Sequence, residues 1–418
     1  MDWNKKVNYC DGFKKSEYKE LVIIANIHNG MNFKMTKECF GILEQYFESD
    51  MTISDFLELF EDRGDREYFS EVFQTLLEYG IIVFGEEIKS YVPVFEITDR
   101  CNLHCSHCCM DAKPANCNGD MSTQEWKAII DKFVDMNIDY IVITGGEPLI
   151  RSDFFELCEY AKQKLKVPMQ LMSNATLINE SNAGKLLELF DDFSFSLDGA
   201  DEESCAPVRG KGVFEKALNG IRIMKEKGMK KFSLSFTKVK QNEGKVDEFI
   251  TLAKELGAEP MIRNFDIVGR AKEHLELLPN DIDEQFLPVI SDPGNSEGHY
   301  YPESMPLCVS CTAVDNKMCV AHDGNIYPCQ VLMYPEFCIC NINEIDSVVE
   351  YWKENKQYLT QGYKNFAEFH TAHSQKCKNC PVNLFCESCV LYSYLMRNRD
   401  NFEELCERKK EGLMPIWR

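Results

Sequence analysis

Three closely spaced cysteines are the part of the sequence with the clearest capacity for chemistry. Cys101, Cys105 and Cys108 follow residues 92–98, an apolar segment whose composition predicts a β-strand. Closely spaced thiols indicate a disulfide, a zinc site or an iron–sulfur cluster. Because this loop offers three thiols rather than four, a metal centre bound there would keep one coordination position open for another ligand.

A second motif follows the next predicted strand. Residues 144–148 read Thr-Gly-Gly-Glu-Pro and come directly after the apolar residues 140–143. Gly145 and Gly146 have no Cβ atom, so the backbone can approach a small ligand closely. The carboxylate of Glu147 can accept a charge-assisted hydrogen bond from an ammonium group. This segment therefore predicts a binding loop for a small, charged ligand.

The spacing and order of the two motifs resemble those of the radical SAM enzymes. The resemblance implies that Cys101, Cys105 and Cys108 bind a [4Fe–4S] cluster, whose open iron binds S-adenosylmethionine (SAM), and that Gly145, Gly146 and Glu147 contact SAM. His107 stands where that family usually has an aromatic residue, and we expect it to have a packing role. A zinc knuckle followed by an unrelated turn is the alternative.

Composition and charge disfavour a nucleic-acid-binding, membrane-spanning or disulfide-rich protein. The chain has 418 residues, 20 cysteines and a formal net charge of −22, which disfavours binding to nucleic acid. No apolar run is long enough to span a membrane and the first residues lack a signal-peptide core, so we expect a cytoplasmic protein without a membrane partner. In that reducing compartment, cysteines are more typical of metal sites than of disulfides.

Residues 1–90 predict a separate winged-helix domain. An extended segment at 21–27 precedes three stripes of apolar residues at helical spacing. This order resembles the leader-peptide recognition element that precedes many peptide-modifying radical SAM enzymes. A DNA-binding winged helix is the rival, but the segment has 10 Lys and Arg against 18 Asp and Glu, which favours a peptide reader.

Residues 91–290 predict an α/β fold in which six strands alternate with amphipathic helices. The family resemblance implies a partial (β/α)6 TIM-like barrel, whose chemistry collects at the carboxyl ends of the strands. Asn174, Ser196 and Arg209 lie at or after such ends, and the resemblance implies that they help to bind SAM. Turn formation is the alternative role for each of them.

Residues 305–418 resemble the SPASM extension of radical SAM proteins, which binds auxiliary iron–sulfur clusters. The resemblance implies two sets of ligands: Cys377, Cys380, Cys386 and Cys406 for a distal cluster, and Cys311, Cys329 and Cys389 for a proximal one. The fourth proximal ligand is Cys308 or Cys319, or that position is open. Two residues separate Cys386 from Cys389, where the family usually has three, and structural zinc sites are the alternative.

The combined features resemble the sactipeptide and ranthipeptide synthases. The resemblance implies radical abstraction of hydrogen from a ribosomally made precursor peptide, thioether formation at Cys, and a reducing partner such as flavodoxin or ferredoxin. Carbon–carbon crosslinking, epimerisation and sulfatase-maturase chemistry are alternatives; sulfatase maturases have an acid where this chain has Gln330, which cannot take a proton. A non-enzymatic iron–sulfur or zinc scaffold would need neither the glycine motif nor the barrel.

Overall fold

The computed structural model describes residues 2–85, 89–279, 307–387 and 389–417. These residues divide into two compact units. One unit combines the described residues of 1–89, 283–312 and 365–418, and the other combines those of 90–282 and 313–364. The three-domain division expected from the sequence stays a prediction, and its boundaries at 290 and 305 lie outside the described residues.

The N-terminal residues of the first unit form a small sheet followed by three helices. Its strands are β1 (Val7–Tyr9), β2 (Phe13–Tyr18), β3 (Leu21–Asn26), β4 (Asn32–Thr36) and β5 (Ile82–Phe84), and its helices are α1 (Lys37–Glu48), α2 (Ile53–Glu58) and α3 (Arg63–Glu78). Strands β2, β3 and β4 form an antiparallel sheet, and β1 pairs with β5. The three helices lie where the apolar stripes predict them, whereas β1 and β2 were not expected.

Strand β3 is buried on both faces, since successive side chains of a strand point to opposite sides. On one face, Val22 and Ile24 pack with the helices of the N-terminal segment. On the other face, Ile23, Ala25 and Ile27 pack in a second cluster with C-terminal residues, which include Val382, Leu384 and Trp417. The two ends of the chain therefore share one hydrophobic core within this unit.

The second unit contains the predicted parallel sheet. Its six parallel strands are β6 (Val92–Glu96), β9 (Ile141–Thr144), β10 (Met169–Ser173), β11 (Asp192–Ser196), β12 (Phe232–Thr237) and β13 (Glu259–Arg263). Between β6 and β9 lie the two-residue strands β7 (Arg100–Cys101) and β8 (Lys113–Pro114). The helices are α4 (Thr123–Asp131), α5 (Phe154–Leu165), α6 (Ala183–Leu189), α7 (Glu202–Arg209), α8 (Val213–Glu226) and α9 (Val246–Leu256). Adjacent parallel strands follow one another along the chain, which confirms the expected partial barrel.

The sheet also continues beyond its first barrel strand, which the sequence did not predict. Strand β14 (Lys317–Val320) lies parallel to β6, and β15 (Asn325–Tyr327) and β16 (Cys340–Asn341) extend the sheet in antiparallel fashion. Val94 and Val142 of the barrel pack with Cys319 and Tyr327 of this extension. Part of the predicted C-terminal domain thus completes the sheet that carries the barrel.

Four helices complete the described C-terminal residues: α10 (Val348–Lys353), α11 (Gln361–Phe369), α12 (Val390–Arg397) and α13 (Phe402–Leu413). Helix α10 belongs to the second unit, and α12 and α13 belong to the first. None of the helices in the described residues is both long and apolar enough to cross a lipid bilayer.

Candidate active site

A cavity of about 260 Å³ lies at the carboxyl ends of the parallel strands. All but one of the nine residues expected to bind the first cluster or SAM line this cavity: Cys101, Cys105, Cys108, Gly145, Gly146, Asn174, Ser196 and Arg209. The exception is Glu147. The cavity therefore unites residues from four strand ends that are far apart along the chain, as a parallel barrel requires.

The three thiols of the cysteine loop influence one another electrostatically. Burial raises the pKa of Cys101 to about 12, and Glu147, Cys105 and Cys108 raise it further. Burial also raises the pKa of Cys105, to which Cys108 contributes. A bound metal centre would reverse this tendency, because a coordinating thiol loses its proton. Among the described residues, no three His, Cys, Asp or Glu side chains already surround a common metal position, so all metal ligand sets stay predictions.

Gly145 and Gly146 connect the strand end to the start of the cysteine loop. A Cβ atom on Gly145 would collide with the carbonyl oxygen of Thr98, and one on Gly146 would collide with that of Arg100. The Gly146 nitrogen donates a hydrogen bond to the Thr98 oxygen at 2.8 Å, and the Glu147 nitrogen donates one to the Arg100 oxygen at 2.8 Å. The two glycines therefore line the cavity and also allow their backbone to pack closely against that of Thr98 and Arg100.

Glu147 is fully buried and holds neighbouring residues of the site by hydrogen bonds. Its carboxylate accepts hydrogen bonds from Ser173 Oγ at 2.9 Å, the Asn174 nitrogen at 2.8 Å and the Leu149 nitrogen at 3.2 Å. Burial raises its pKa to about 7, although these hydrogen bonds and Arg209 oppose the rise. The structure assigns Glu147 a positioning role, and its expected contact with the SAM ammonium stays a prediction.

Asp198 organises a network of charges that the sequence did not reveal. It accepts Nε of Arg209 at 2.7 Å, lies 2.7 Å from Nε2 of His107, and accepts the Thr237 nitrogen. Burial alone would raise the pKa of Asp198, but Arg209 and His107 hold it well below its usual value. The expected packing role of His107 is therefore incomplete, because its ring also contacts the Asp198 carboxylate. The sequence did offer one sign of this network, because Asp198 is an acidic residue near the end of the fourth predicted strand, where functional side chains were expected.

Further polar groups line the outer part of the cavity. Arg263 donates from Nε to Ser235 Oγ at 2.8 Å, and Gln330 lies with Nε2 at 3.4 Å from the sulfur of Met172. Sequence reasoning did not select Arg263 or Ser235. Both lie on parallel strands, β13 and β12, and only the sheet register brings them together.

Four of the C-terminal cysteines, Cys377, Cys380, Cys386 and Cys406, belong to the first unit. Burial raises the pKa of Cys386 to about 12, and Cys377 and Cys380 raise it further. Burial likewise raises the pKa of Cys406, with contributions from Cys380 and Cys377. These thiols therefore lie near enough to influence one another electrostatically. The predicted distal ligand set stays a prediction, because no three of these side chains share a metal position among the described residues.

The residues predicted for the proximal cluster are distributed differently. Cys311 and Cys389 belong to the first unit and Cys329 belongs to the second. Cys308 lies in the apolar cluster around β3, where its thiol contacts the carbonyl oxygen of Asn26 at 3.7 Å. Cys319 is buried beside Met333. The choice between Cys308, Cys319 and an open fourth position stays a prediction.

The residues around the main cavity fit an iron–sulfur cluster with bound SAM. Three thiols provide the soft ligands that such a cluster needs. His107 also lines the cavity, and its buried Nδ1 has no hydrogen-bond partner among the described residues. A buried polar atom without a partner is costly, and a ligand with a polar group would remove this cost.

Comparisons with known proteins agree with this geometry. The model of the Radical SAM superfamily matches residues 95–253. The AdoMet-dependent heme synthase of Oleidesulfovibrio alaskensis is 28% identical over 346 residues, which cover 75% of this chain and 86% of that protein. The mycofactocin maturase MftC of Mycolicibacterium smegmatis is 29% identical over 277 residues, covering 63% of this chain and 70% of that protein.

The fold is similar to that of Streptococcus suis SuiB bound to the precursor peptide SuiA, with a TM-score of 0.54 and 15% identity. The match covers 92% of this chain and 97% of that structure. At this identity the likeness concerns the fold. The superfamily match and the curated relatives, by contrast, show that the chain carries a radical SAM domain and is an enzyme that uses SAM and a [4Fe–4S] cluster.

Proposed function

We propose that this radical SAM enzyme is a peptide maturase that forms thioether crosslinks in a ribosomally made precursor. The observation that carries the proposal is the barrel cavity lined by Cys101, Cys105 and Cys108, in a chain that also has Cys377, Cys380, Cys386 and Cys406, several of which raise one another's pKa. Two thiol sites fit a reaction that needs both a radical and an electron acceptor. The mycofactocin maturase among the relatives supports a peptide as substrate.

Each group of residues has a task in this reaction. SAM bound to the reduced cluster supplies a carbon radical that removes a hydrogen atom from an unactivated C–H bond. Cys101, Cys105 and Cys108 would hold the cluster, while Asp198 fixes Arg209 and His107 at the wall of the cavity. These fixed groups orient the ligand and keep water away from the reacting carbon.

Thioether formation must balance hydrogens and electrons. The peptide carbon loses a hydrogen atom to the SAM-derived radical, and the substrate thiol loses a proton. Formation of the C–S bond then releases one electron, so each link removes two hydrogens from the peptide. The auxiliary cysteines would hold a cluster that accepts this electron, which an external acceptor finally removes.

The N-terminal sheet supports binding of a leader peptide. In the described residues, β2 and β4 are the edge strands of their sheet, and edge strands offer backbone groups to an added peptide strand. Removal of residues 1–90 is a poor test, because Ile23 and Ala25 share a core with Val382 and Trp417. Hydrogen-exchange mass spectrometry of the whole chain is a better test than truncation. The full precursor should slow amide exchange in β2–β4, whereas a precursor without its leader should not.

The central test is mass spectrometry of a candidate Cys-containing precursor peptide, after reaction with the enzyme, reduction and alkylation. We expect a loss of two hydrogens for each link and one thiol for each link that no longer reacts with the alkylating agent. A product that has lost two hydrogens but keeps every thiol reactive would indicate carbon–carbon crosslinking. An unchanged mass with a new stereocentre would indicate epimerisation.

A second candidate is a reaction on a heme precursor. It is favoured by the AdoMet-dependent heme synthase, which is similar over 75% of this chain. Parallel reactions distinguish this candidate from the peptide maturase. In one, the anaerobically prepared enzyme is incubated with Fe-coproporphyrin III, and in the other with the precursor peptide. SAM-dependent conversion of the porphyrin but not of the peptide would replace the proposal.

A further inference from the structure

Arg397 lies directly against one of the predicted distal cluster ligands. Its Nη2 donates a hydrogen bond to Sγ of Cys377 at 3.2 Å and another to Ser374 Oγ at 3.0 Å. Its Nη1 donates to the backbone oxygen of Glu368 at 2.6 Å, and only 8% of its side chain is exposed. These contacts hold the guanidinium in one orientation with its charge directed at the sulfur.

The positive charge of Arg397 is only weakly opposed by the carboxylate that contacts it. Glu368 approaches Nη1 with Oε1 at 3.4 Å, but its side chain is 52% exposed, so solvent screens the pair. A second buried cation, Lys409, forms a 2.7 Å ion pair with Glu387, whose side chain is only 13% exposed. Arg397 is therefore a buried cation in direct contact with a cysteine sulfur, whereas Lys409 is paired with a largely buried carboxylate.

We propose that Arg397 raises the reduction potential of an iron–sulfur cluster held by Cys377, Cys380, Cys386 and Cys406, and thereby makes this site an electron acceptor. The inference rests on the proposed function insofar as the four thiols hold such a cluster. Reduction adds one electron and no proton to a centre that its thiolates already make negative. A buried positive charge and a hydrogen bond to a ligating sulfur both stabilise the reduced form.

This role differs from that of a structural metal site. Zinc has no accessible redox change, so a zinc site would use Arg397 only to hold the loop. An electron acceptor needs its potential adjusted, and charge near the sulfur atoms is one of the protein's means of doing so. The potential is therefore the readout that distinguishes the two roles.

The experiment is an anaerobic redox titration of the full-length chain, reconstituted with iron and sulfide and followed by electron paramagnetic resonance. The distal signal is identified as the one that Cys380→Ala removes. Arg397→Gln should shift its midpoint potential to a more negative value, whereas Glu368→Gln should shift it little, because solvent screens the Glu368 carboxylate. Lys378→Gln is the matched control, because Lys378 carries the same charge beside Cys377 but is exposed to solvent.

The outcomes separate cleanly. A negative shift in R397Q, with smaller shifts in E368Q and K378Q, supports the proposal. Equal shifts in R397Q and K378Q, or zinc in place of iron at the four cysteines, would overturn it. If R397Q does not retain iron, Arg397→Lys is titrated in its place: Lys cannot make the paired hydrogen bonds to Cys377 and Ser374, so the midpoint potential should also fall, and an unchanged value would overturn the proposal. The titration needs no precursor, so it stays readable even if thioether formation proves wrong.

Discussion

The side-chain nitrogen of Asn174 lies 3.7 Å from Sγ of Cys101 and 3.0 Å from Oδ1 of Asn102. The same side chain accepts hydrogen bonds through Oδ1 from the backbone and the hydroxyl of Thr176. Asn174 thus links the end of β10 to the first cysteine of the loop. A residue chosen from its place after a strand proves to contact a candidate cluster ligand.

We expect Asn174→Ala to make the first cluster labile while the protein still folds. Loss of a hydrogen bond to a thiolate costs on the order of 1–2 kcal/mol, which corresponds to about tenfold faster loss of iron to a chelator. Asn174→Asp keeps the acceptor for Thr176 but removes the donor to Cys101. If N174D retained iron like the unchanged protein, the contact with Cys101 would have no stabilising role.

Replacement of Cys101, Cys105 and Cys108 together by Ala should remove one cluster and abolish reductive cleavage of SAM. The physical reason is that the cluster loses all its protein ligands and SAM loses its iron anchor. The measurement is the iron content together with the yield of 5′-deoxyadenosine under reducing, anaerobic conditions. Cys109→Ala is the matched control, because Cys109 is adjacent and lines the same cavity; its iron content should not change.

Periodicity was sufficient to predict much of this fold. Six strands and the three N-terminal helices follow from apolar patterns within short segments, and eight of the nine residues that the sequence predicts to bind the cofactors line one cavity. Strand β14 was missed because four residues give little pattern and its partner β6 lies far back along the chain. Register and distant pairing depend on tertiary packing that local sequence does not encode.

Other differences arise from burial. The expected contact of Glu147 with SAM stays a prediction, and the structure adds that its oxygens accept hydrogen bonds from the backbone of Asn174 and Leu149. His107 was expected only to pack, but its ring also contacts the carboxylate of Asp198. In both cases a buried polar group took the partners that the fold brought close, since leaving such a group without a partner is costly. The sequence reveals the residue types but not which partners reach them.

Glu96 gives a prediction about pH. Burial raises its pKa from 4.5 to about 7, although His322 opposes the rise; Asp323 and Asp99 add to it. A carboxyl group with a raised pKa binds its proton more tightly in the folded protein than in the unfolded chain. Its contribution to the free energy of unfolding therefore falls as the pH rises from about 4.5 to 7.

The test compares Glu96→Gln with the unchanged chain by chemical unfolding at pH 5 and pH 8. Gln cannot ionise, so the variant should gain stability relative to the unchanged protein at the higher pH, by on the order of 1–3 kcal/mol. The pKa of His322 is also raised, by its contact with Glu96, so its own contribution likewise falls with rising pH. If the difference in unfolding free energy between Glu96→Gln and the unchanged chain were the same at both pH values, the raised pKa of Glu96 would be contradicted.

The last prediction concerns the auxiliary cysteines in the proposed reaction. If the electron that C–S bond formation releases reaches the distal site by way of a proximal cluster, replacement of Cys311 or Cys329 by Ala should abolish crosslinking. Formation of 5′-deoxyadenosine should persist, because SAM is cleaved at the separate loop of Cys101, Cys105 and Cys108. Gln330 and Val331, which follow Cys329, line the main cavity, so this segment is close to where a substrate would react.

Two measurements on the same reaction decide the outcome: the yield of 5′-deoxyadenosine, and the mass of the reduced and alkylated precursor. Cys117→Ala is the matched control, since Cys117 lacks cluster spacing, and this variant should crosslink normally. Loss of both activities in C329A would mean that Cys329 supports the whole fold rather than electron transfer. Full crosslinking in C311A and C329A would show that the reaction does not need a proximal cluster. The released electron would then have to reach a different acceptor.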